Sequence, residues 1–263
     1  MTHGSLFSGI GGFDLAAEWM GWQNVFQVEI EEYCQRLLAQ NFPNVERHRD
    51  IREFDGKQYA GRIDIISGGF PCQPFSQAGK RQGKDDPRHL WPQMLRIISE
   101  IEPRWVLGEN VSGIFSWSGG LVFDEIQSDL ADIGYETIPV RIPAVAVGAP
   151  HRRDRWWFVA NSNSKRLERR STGGKGEEKQ ITKRHTRQVC RSFFGWEKNW
   201  LEVAAELCVL GNGLPVELDG FTLSKSKHRE HQLKGLGNAI VPQVALEIFK
   251  AIDTVDRYEQ DRQ

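Results

Sequence analysis

Over the first 160 residues, short apolar runs alternate with amphipathic stretches, and this alternation constrains the fold more than any single residue does. Leu6-Phe7, Val25 to Val28, Ile63 to Ile66, Trp105 to Leu107 and Trp156 to Val159 read as strands. Helical spacings lie between them. One runs from Asp14 to Met20 and closes at Gly21. Others are marked by Tyr33, Leu37 and Leu38, by Leu95, Ile98 and Ile101, and by Phe123, Ile126, Leu130 and Ile133, stopping at Gly134. Strands alternating with helices imply an α/β fold: a mainly parallel sheet covered by helices on both faces. Such sheets bind ligands beyond the carboxyl ends of their strands.

After Asn161 the character changes. Residues 161–192 are polar and strongly basic, with ten Lys or Arg against three Glu between Lys165 and Arg191. Phe193, Phe194, Trp196 and Trp200 then form an aromatic cluster. The last periodic segment, Ile240 to Ile252, carries Val244, Ile248 and Ile252 on one face. A net charge of −1 argues against a nucleic-acid partner for the chain as a whole, yet a local basic segment can hold phosphates. A solvated charged loop reads equally well there. The four cysteines are far apart and make no C-x-x-C pair, so neither a zinc site nor a disulfide scaffold is indicated, and a reducing compartment fits. No apolar run is long enough to span a bilayer and no signal-peptide pattern is present, which leads us to expect a cytoplasmic protein.

Several short motifs fall at strand ends. Gly68-Gly69-Phe70-Pro71-Cys72-Gln73-Pro74 follows the third strand: two glycines break it, and Pro71 and Pro74 stiffen the loop around one thiol. Cys72 is there either a nucleophile in fixed geometry or a buried thiol in a turn. Phe7-Ser8-Gly9-Ile10-Gly11-Gly12 opens a helix without the G-x-G-x-x-G dinucleotide spacing, and reads as a ligand-approach loop or a plain turn. Glu29 ends the second strand, where nucleotide-binding α/β folds place an acid against ribose hydroxyls. Asp50-Ile51 offers an acceptor and an apolar contact for an adenine ring. Glu109-Asn110-Val111 ends another strand, and burial would raise the Glu109 pKa enough for general-acid work. Arg153 and Arg155 precede a strand, and alternation puts both on one face. Asn238, in Gly235-Leu236-Gly237-Asn238-Ala239-Ile240, reads as the cap of the final helix, with Pro242 in its first turn.

In this order the motifs resemble those of the cytosine-5 DNA methyltransferases, over roughly residues 4–160 and 233–252. That family carries F-x-G-x-G-G, a strand-end Glu, P-C-Q, E-N-V, Q-x-R-x-R and G-N-[AS]-[IV] in the same succession. The resemblance implies a Rossmann-like S-adenosylmethionine-dependent methyltransferase sheet formed by residues 1–160 and 233–263, with a small variable target-recognition region at 161–232. It implies that S-adenosylmethionine is held by Phe7, Gly9, Gly11, Gly12, Glu29, Ile30, Asp50, Ile51, Pro71, Leu90 and Asn238. It further implies that the Cys72 thiolate adds to carbon 6 of a flipped-out cytosine while Glu109 supports protonation at ring nitrogen 3. Carbon 5 is thereby made nucleophilic enough to take the methyl group. Arg155 is the matching residue for holding the base, and Arg153 shapes the same site. The partner so implied is double-stranded DNA, methylated at a specific sequence by a monomer in a prokaryotic or phage-infected cell, with or without a companion restriction endonuclease.

The chain departs from the family pattern in three places. His151 stands where Gln is usual. The arginine-containing motif near the end of the target region is reduced to Leu210-Gly211-Asn212-Gly213-Leu214-Pro215, and the target region itself is short, as in phage or prophage enzymes. Two other readings stay open: methylation of cytosine in RNA, and a catalytically decayed DNA-binding relative.

Overall fold

The computed structural model describes residues 1–71, 90–116, 120–162, 217–218, 221–222, 235 and 238–261. Its strands are β1 (Thr2–Leu6), β2 (Gln23–Val28), β3 (Glu46–His48), β4 (Ile65–Gly68), β5 (Trp105–Val111), β6 (Tyr135–Pro143) and β7 (Asp154–Ser162). The α-helices are α1 (Gly12–Trp19), α2 (Glu32–Asn41), α3 (Trp91–Ile101), α4 (Leu121–Asp132) and α5 (Pro242–Gln260). A two-stranded piece pairs Glu217–Leu218 with Phe221–Thr222.

Seven strands form one sheet in the order β3-β2-β1-β4-β5-β7-β6. Consecutive residues on a strand point to opposite faces, and the apolar strands use both. Ile65, Trp105, Leu107 and Trp157 pack with α1 and α5. Their neighbours Ile66, Val106 and Phe158 pack with α3 and α4. Nearly continuous apolar strands are therefore required, because neither face is left to water. The far end of α5 is pinned to the sheet by Asp256, whose Oδ1 accepts from Trp105 Nε1 at 2.9 Å and whose Oδ2 pairs with Arg104 Nη2 at 2.6 Å.

Three features differ from the sequence reading. The strand β6 is absent from it, because Tyr135–Pro143 contains Pro139 and is only half-buried at the sheet edge, where no clean alternation survives. β7 runs antiparallel to both β5 and β6, so the arginines at its start reach the carboxyl edge of the parallel strands by reversal of the chain. The final helix also begins later than its sequence suggests. Pro242 is its first residue, Val241 O accepts the opening hydrogen bond, and Asn238 lies outside it, exposed, rather than capping it. No helix among the described residues is long and apolar enough to cross a membrane.

Candidate active site

Strand order reverses beside β1: the chain moves outward through β2 and β3, then returns through β4 on the other side. In open α/β sheets a ligand crevice opens at the carboxyl edge at such a point, here between the ends of β1 and β4. The first loop holds three residues in the left-handed region, Phe7 (φ 53), Gly9 (φ 56) and Gly11 (φ 90). A side chain on Gly9 would meet nothing within 4 Å, so its backbone faces open space. The other two glycines answer to packing. A Cβ on Gly11 (φ 90) would stand 2.5 Å from the Phe42 ring, and one on Gly12 would stand 2.7 Å from the Ile240 carbonyl oxygen.

Glu29 is buried beside this loop. Its Oε2 accepts from Gly9 N at 2.7 Å and its Oε1 from Glu31 N at 2.8 Å. Burial raises its pKa, and the backbone donors pull the other way. Each oxygen keeps acceptor capacity, as a group binding vicinal hydroxyls needs. Next to it, Ile30 is 52% exposed, an apolar surface beside a polar cradle. Open space at Gly9, a buried carboxylate and an uncovered isoleucine fit a ligand with a ribose and an adenine ring. Asp50 and Ile51 lie along the same edge, but Asp50 Oδ1 accepts from Arg52 N at 2.9 Å and Ile51 is buried in the core. Leu90 is half-buried just before α3, Pro71 is exposed, and Asn238 is exposed.

The second group of residues lies around β5. Glu109 and Arg155 sit diagonally across the β5–β7 pairing, with Arg155 Nε 2.8 Å from Glu109 Oε1. Burial pushes the Glu109 pKa from 4.5 up to about 7, against the pull of Arg155 and Arg153. Its other oxygen lies 3.4 Å from where a Gly69 side chain would begin, which places the carboxyl at the base of the loop that carries Cys72. Arg153 approaches by another route than strand alternation. It precedes β7, has φ 35, and donates from Nη2 to Ala239 O at 2.6 Å.

Asn110 was read from sequence only as part of a motif, and the structure gives it a task. Its Nδ2 donates to Phe70 O at 3.0 Å and its Oδ1 accepts from Val111 N at 2.9 Å, both with the side chain buried. It therefore ties the end of β5 to the residue two before Cys72. Its place beside Glu109 was the one available signal. Cys72 itself lies outside the described residues, as do the basic segment Lys165 to Arg191, the aromatics Phe193 to Trp200 and the stretch Leu210 to Pro215.

Residues 1–207 match the family model described as C-5 cytosine-specific DNA methylase. Similar proteins include the type II methyltransferase M.Eco47II of Escherichia coli, 35% identical over 162 residues, covering 60% of this chain and 39% of the relative. M.PspPI of Psychrobacter is 38% identical over 153 residues, covering 57% and 37%, and M.NgoMIV of Neisseria gonorrhoeae is 36% identical over 157, covering 59% and 50%. The match thus spans half or less of the length of each of these relatives. Among solved structures, a protein described as a DNA modification methyltransferase encoded within an E. coli prophage has a TM-score of 0.55 at 30% identity, covering 63% of this chain and 48% of that one. Spodoptera frugiperda DNMT2 has a TM-score of 0.53 at 26% identity, covering 62% and 50%.

Proposed function

Because the chain belongs to the C-5 cytosine-specific DNA methylase family, we propose that it transfers a methyl group from S-adenosylmethionine to carbon 5 of cytosine in double-stranded DNA. The observation that carries this reading is the Glu109 carboxyl, held by Arg155 at 2.8 Å against the base of the Cys72 loop. A cytosine ring is a poor nucleophile at carbon 5. Addition of the Cys72 thiolate at carbon 6, with a proton supplied at ring nitrogen 3, moves electron density onto carbon 5, which takes the methyl group and leaves S-adenosylhomocysteine. Loss of the carbon 5 proton and elimination of the thiolate, with the nitrogen 3 proton returned to Glu109, then restore the ring and free Cys72. A carboxyl with a pKa of about 7 is half protonated at neutral pH, which suits it to supply that proton.

When bound, S-adenosylmethionine supplies an electrophilic sulfonium methyl. Gly9 and Glu29 would hold its sugar, and Ile30, with Asp50 on the same edge, would hold its adenine end. Arg155 stabilises the Glu109 carboxylate left after proton transfer and lies where it can help hold the base. Asn110 keeps the Cys72 loop in register with β5. The target base must leave the duplex for the thiol to reach its ring. The basic segment between Lys165 and Arg191 supplies positive charge for the phosphate backbone. We place the reaction in the cytoplasm of a prokaryotic or phage-infected cell, where the DNA is.

Transfer of tritium from labelled S-adenosylmethionine to duplex DNA and to tRNA, with a Cys72→Ser control, tests this reading. Label in duplex DNA that disappears with Cys72→Ser is expected. Label confined to tRNA would move the substrate to RNA, and none in either would leave a decayed, binding-only protein.

A further inference from the structure

Resting on the reading above, we propose that Arg153 is a positioning residue that fixes the cofactor-side segment 238–240 by clamping the Ala239 carbonyl, linking cofactor binding to the acid end of the site. Arg153 and Arg155 are two residues apart, yet their guanidinium groups do different work. Arg155 Nε meets Glu109, whereas Arg153 Nη2 meets Ala239 O at 2.6 Å, 86 residues away in the chain.

The segment it holds touches two parts of the site. Ile240 presents its carbonyl oxygen 2.7 Å and its Cβ 2.9 Å from where a Gly12 side chain would begin, at the start of α1. Its Cδ1 lies 3.2 Å from the corresponding point on Gly69, at the base of the Cys72 loop. Asn238, one residue before the clamped carbonyl, is exposed and helical but lies outside α5, from which Ala239, Ile240 and Val241, in no regular element, separate it. A hydrogen bond from a charged donor is the kind of contact that can fix such a segment.

The backbone supports the same assignment. Arg153 has φ 35, a conformation that costs a non-glycine residue energy and persists where surrounding contacts impose it. Ala144 N, donating to Arg152 O at 2.8 Å and to Arg153 O at 3.3 Å, anchors this turn to the segment after β6. Burial and the neighbouring Arg155 lower the Arg153 pKa, and the charge of Glu109 opposes them. The guanidinium thus feels the acid side of the site while it donates to the cofactor side.

The test is isothermal titration of the full chain with S-adenosylhomocysteine, in wild type, Arg153→Met, Arg153→Lys and Arg155→Met. Loss of one charge-assisted hydrogen bond at a positioned segment should weaken binding about tenfold in Arg153→Met. Arg155→Met should stay within about twofold of wild type. Arg153→Lys, which keeps one donor and the charge, should recover part of the loss. Hydrogen exchange in the ligand-free protein supplies a second readout, with residues 238–241 exchanging faster in Arg153→Met than in Arg155→Met. Should Arg153→Met fail to fold, Arg153→Lys against Arg155→Lys carries the same comparison. Unchanged affinity in a folded Arg153 variant, or an equal loss at Arg155, overturns the inference alone. A wild-type protein that binds no S-adenosylhomocysteine removes the proposed function and this inference with it.

Discussion

Arg155 Nε stands 2.8 Å from Glu109 Oε1 across two strands that run in opposite directions. Because β7 is antiparallel, the first residues of one strand meet the last of the other, and an acid and a base far apart in sequence share one edge. Two effects then compete for the Glu109 proton. Burial disfavours the carboxylate and the guanidinium groups favour it; burial wins, leaving the pKa at about 7.

If protonated Glu109 is the acid, turnover should fall as pH rises through about 7, and Glu109→Gln should remove that limb while lowering kcat by about 10² to 10⁴. Arg155→Met removes the larger of the two arginine effects that lower the pKa, so the limb should move to higher pH. Stability has its own sign. The folded protein keeps a proton that the unfolded chain releases from pH 4.5 upward, so Glu109 makes the protein less stable as pH rises from 4.5 to about 7. The change is on the order of 3 kcal/mol, and urea unfolding at several pH values should show that slope flattened in Glu109→Gln. A falling limb unchanged in that variant would contradict the assignment.

Asn110→Asp keeps the size of the side chain but replaces the donor to Phe70 O with an acceptor. Leaving a buried carbonyl unpaired should cost about 1 to 3 kcal/mol of stability. Loosening the thiol's loop should lower kcat by about a hundredfold with KM for the cofactor little changed. Steady-state kinetics beside urea unfolding checks both. A variant that loses stability and keeps full kcat would reduce Asn110 to a packing role.

Gly9 and Gly21 form an internal control. Both have positive φ, 56 and 70, and a side chain on either would meet nothing within 4 Å. Alanine at either should cost about 1 kcal/mol from backbone strain. Only Gly9→Ala places a methyl group in the proposed cofactor cradle, so S-adenosylhomocysteine affinity should drop at least tenfold there and stay unchanged in Gly21→Ala. Equal affinities in the two variants would move the cofactor away from this loop.

Asp256 ties α5 to the sheet through Trp105 and Arg104. Asp256→Ala removes a buried partner of a charged group and should destabilise the protein by about 3 kcal/mol in urea unfolding. Asp256→Asn, which retains an acceptor for Trp105 Nε1, should cost less. Equal losses would assign the effect to charge alone.

Much of this site was legible in the sequence because strand ends are punctuated. Glu29, Glu109 and Gly69 each follow an apolar run too short to be a helix, and such runs end at the ligand edge of a parallel sheet. What stayed hidden depended on contacts between distant segments. The task of Asn110 needs Phe70 O, 40 residues away, and the need for glycine at position 11 needs the Phe42 ring. Alternation brought Arg153 to the right neighbourhood for a wrong reason, since its φ of 35 takes it off the strand pattern. Asn238 has the composition of a helix cap, yet Pro242, with no backbone donor to lose, starts the helix four residues later.

The central claim is covalent catalysis through Cys72. The most direct test is to incubate the protein with S-adenosylmethionine and duplex DNA carrying 5-fluorocytosine in place of cytosine, then to look for a denaturant-stable complex by gel and mass spectrometry. Fluorine at carbon 5 cannot leave as a proton, so an enzyme working as proposed stalls as an adduct. We expect that adduct on the peptide containing Cys72, and none with Cys72→Ser. A methylated product without a trapped intermediate, or an adduct at another residue, would contradict the account.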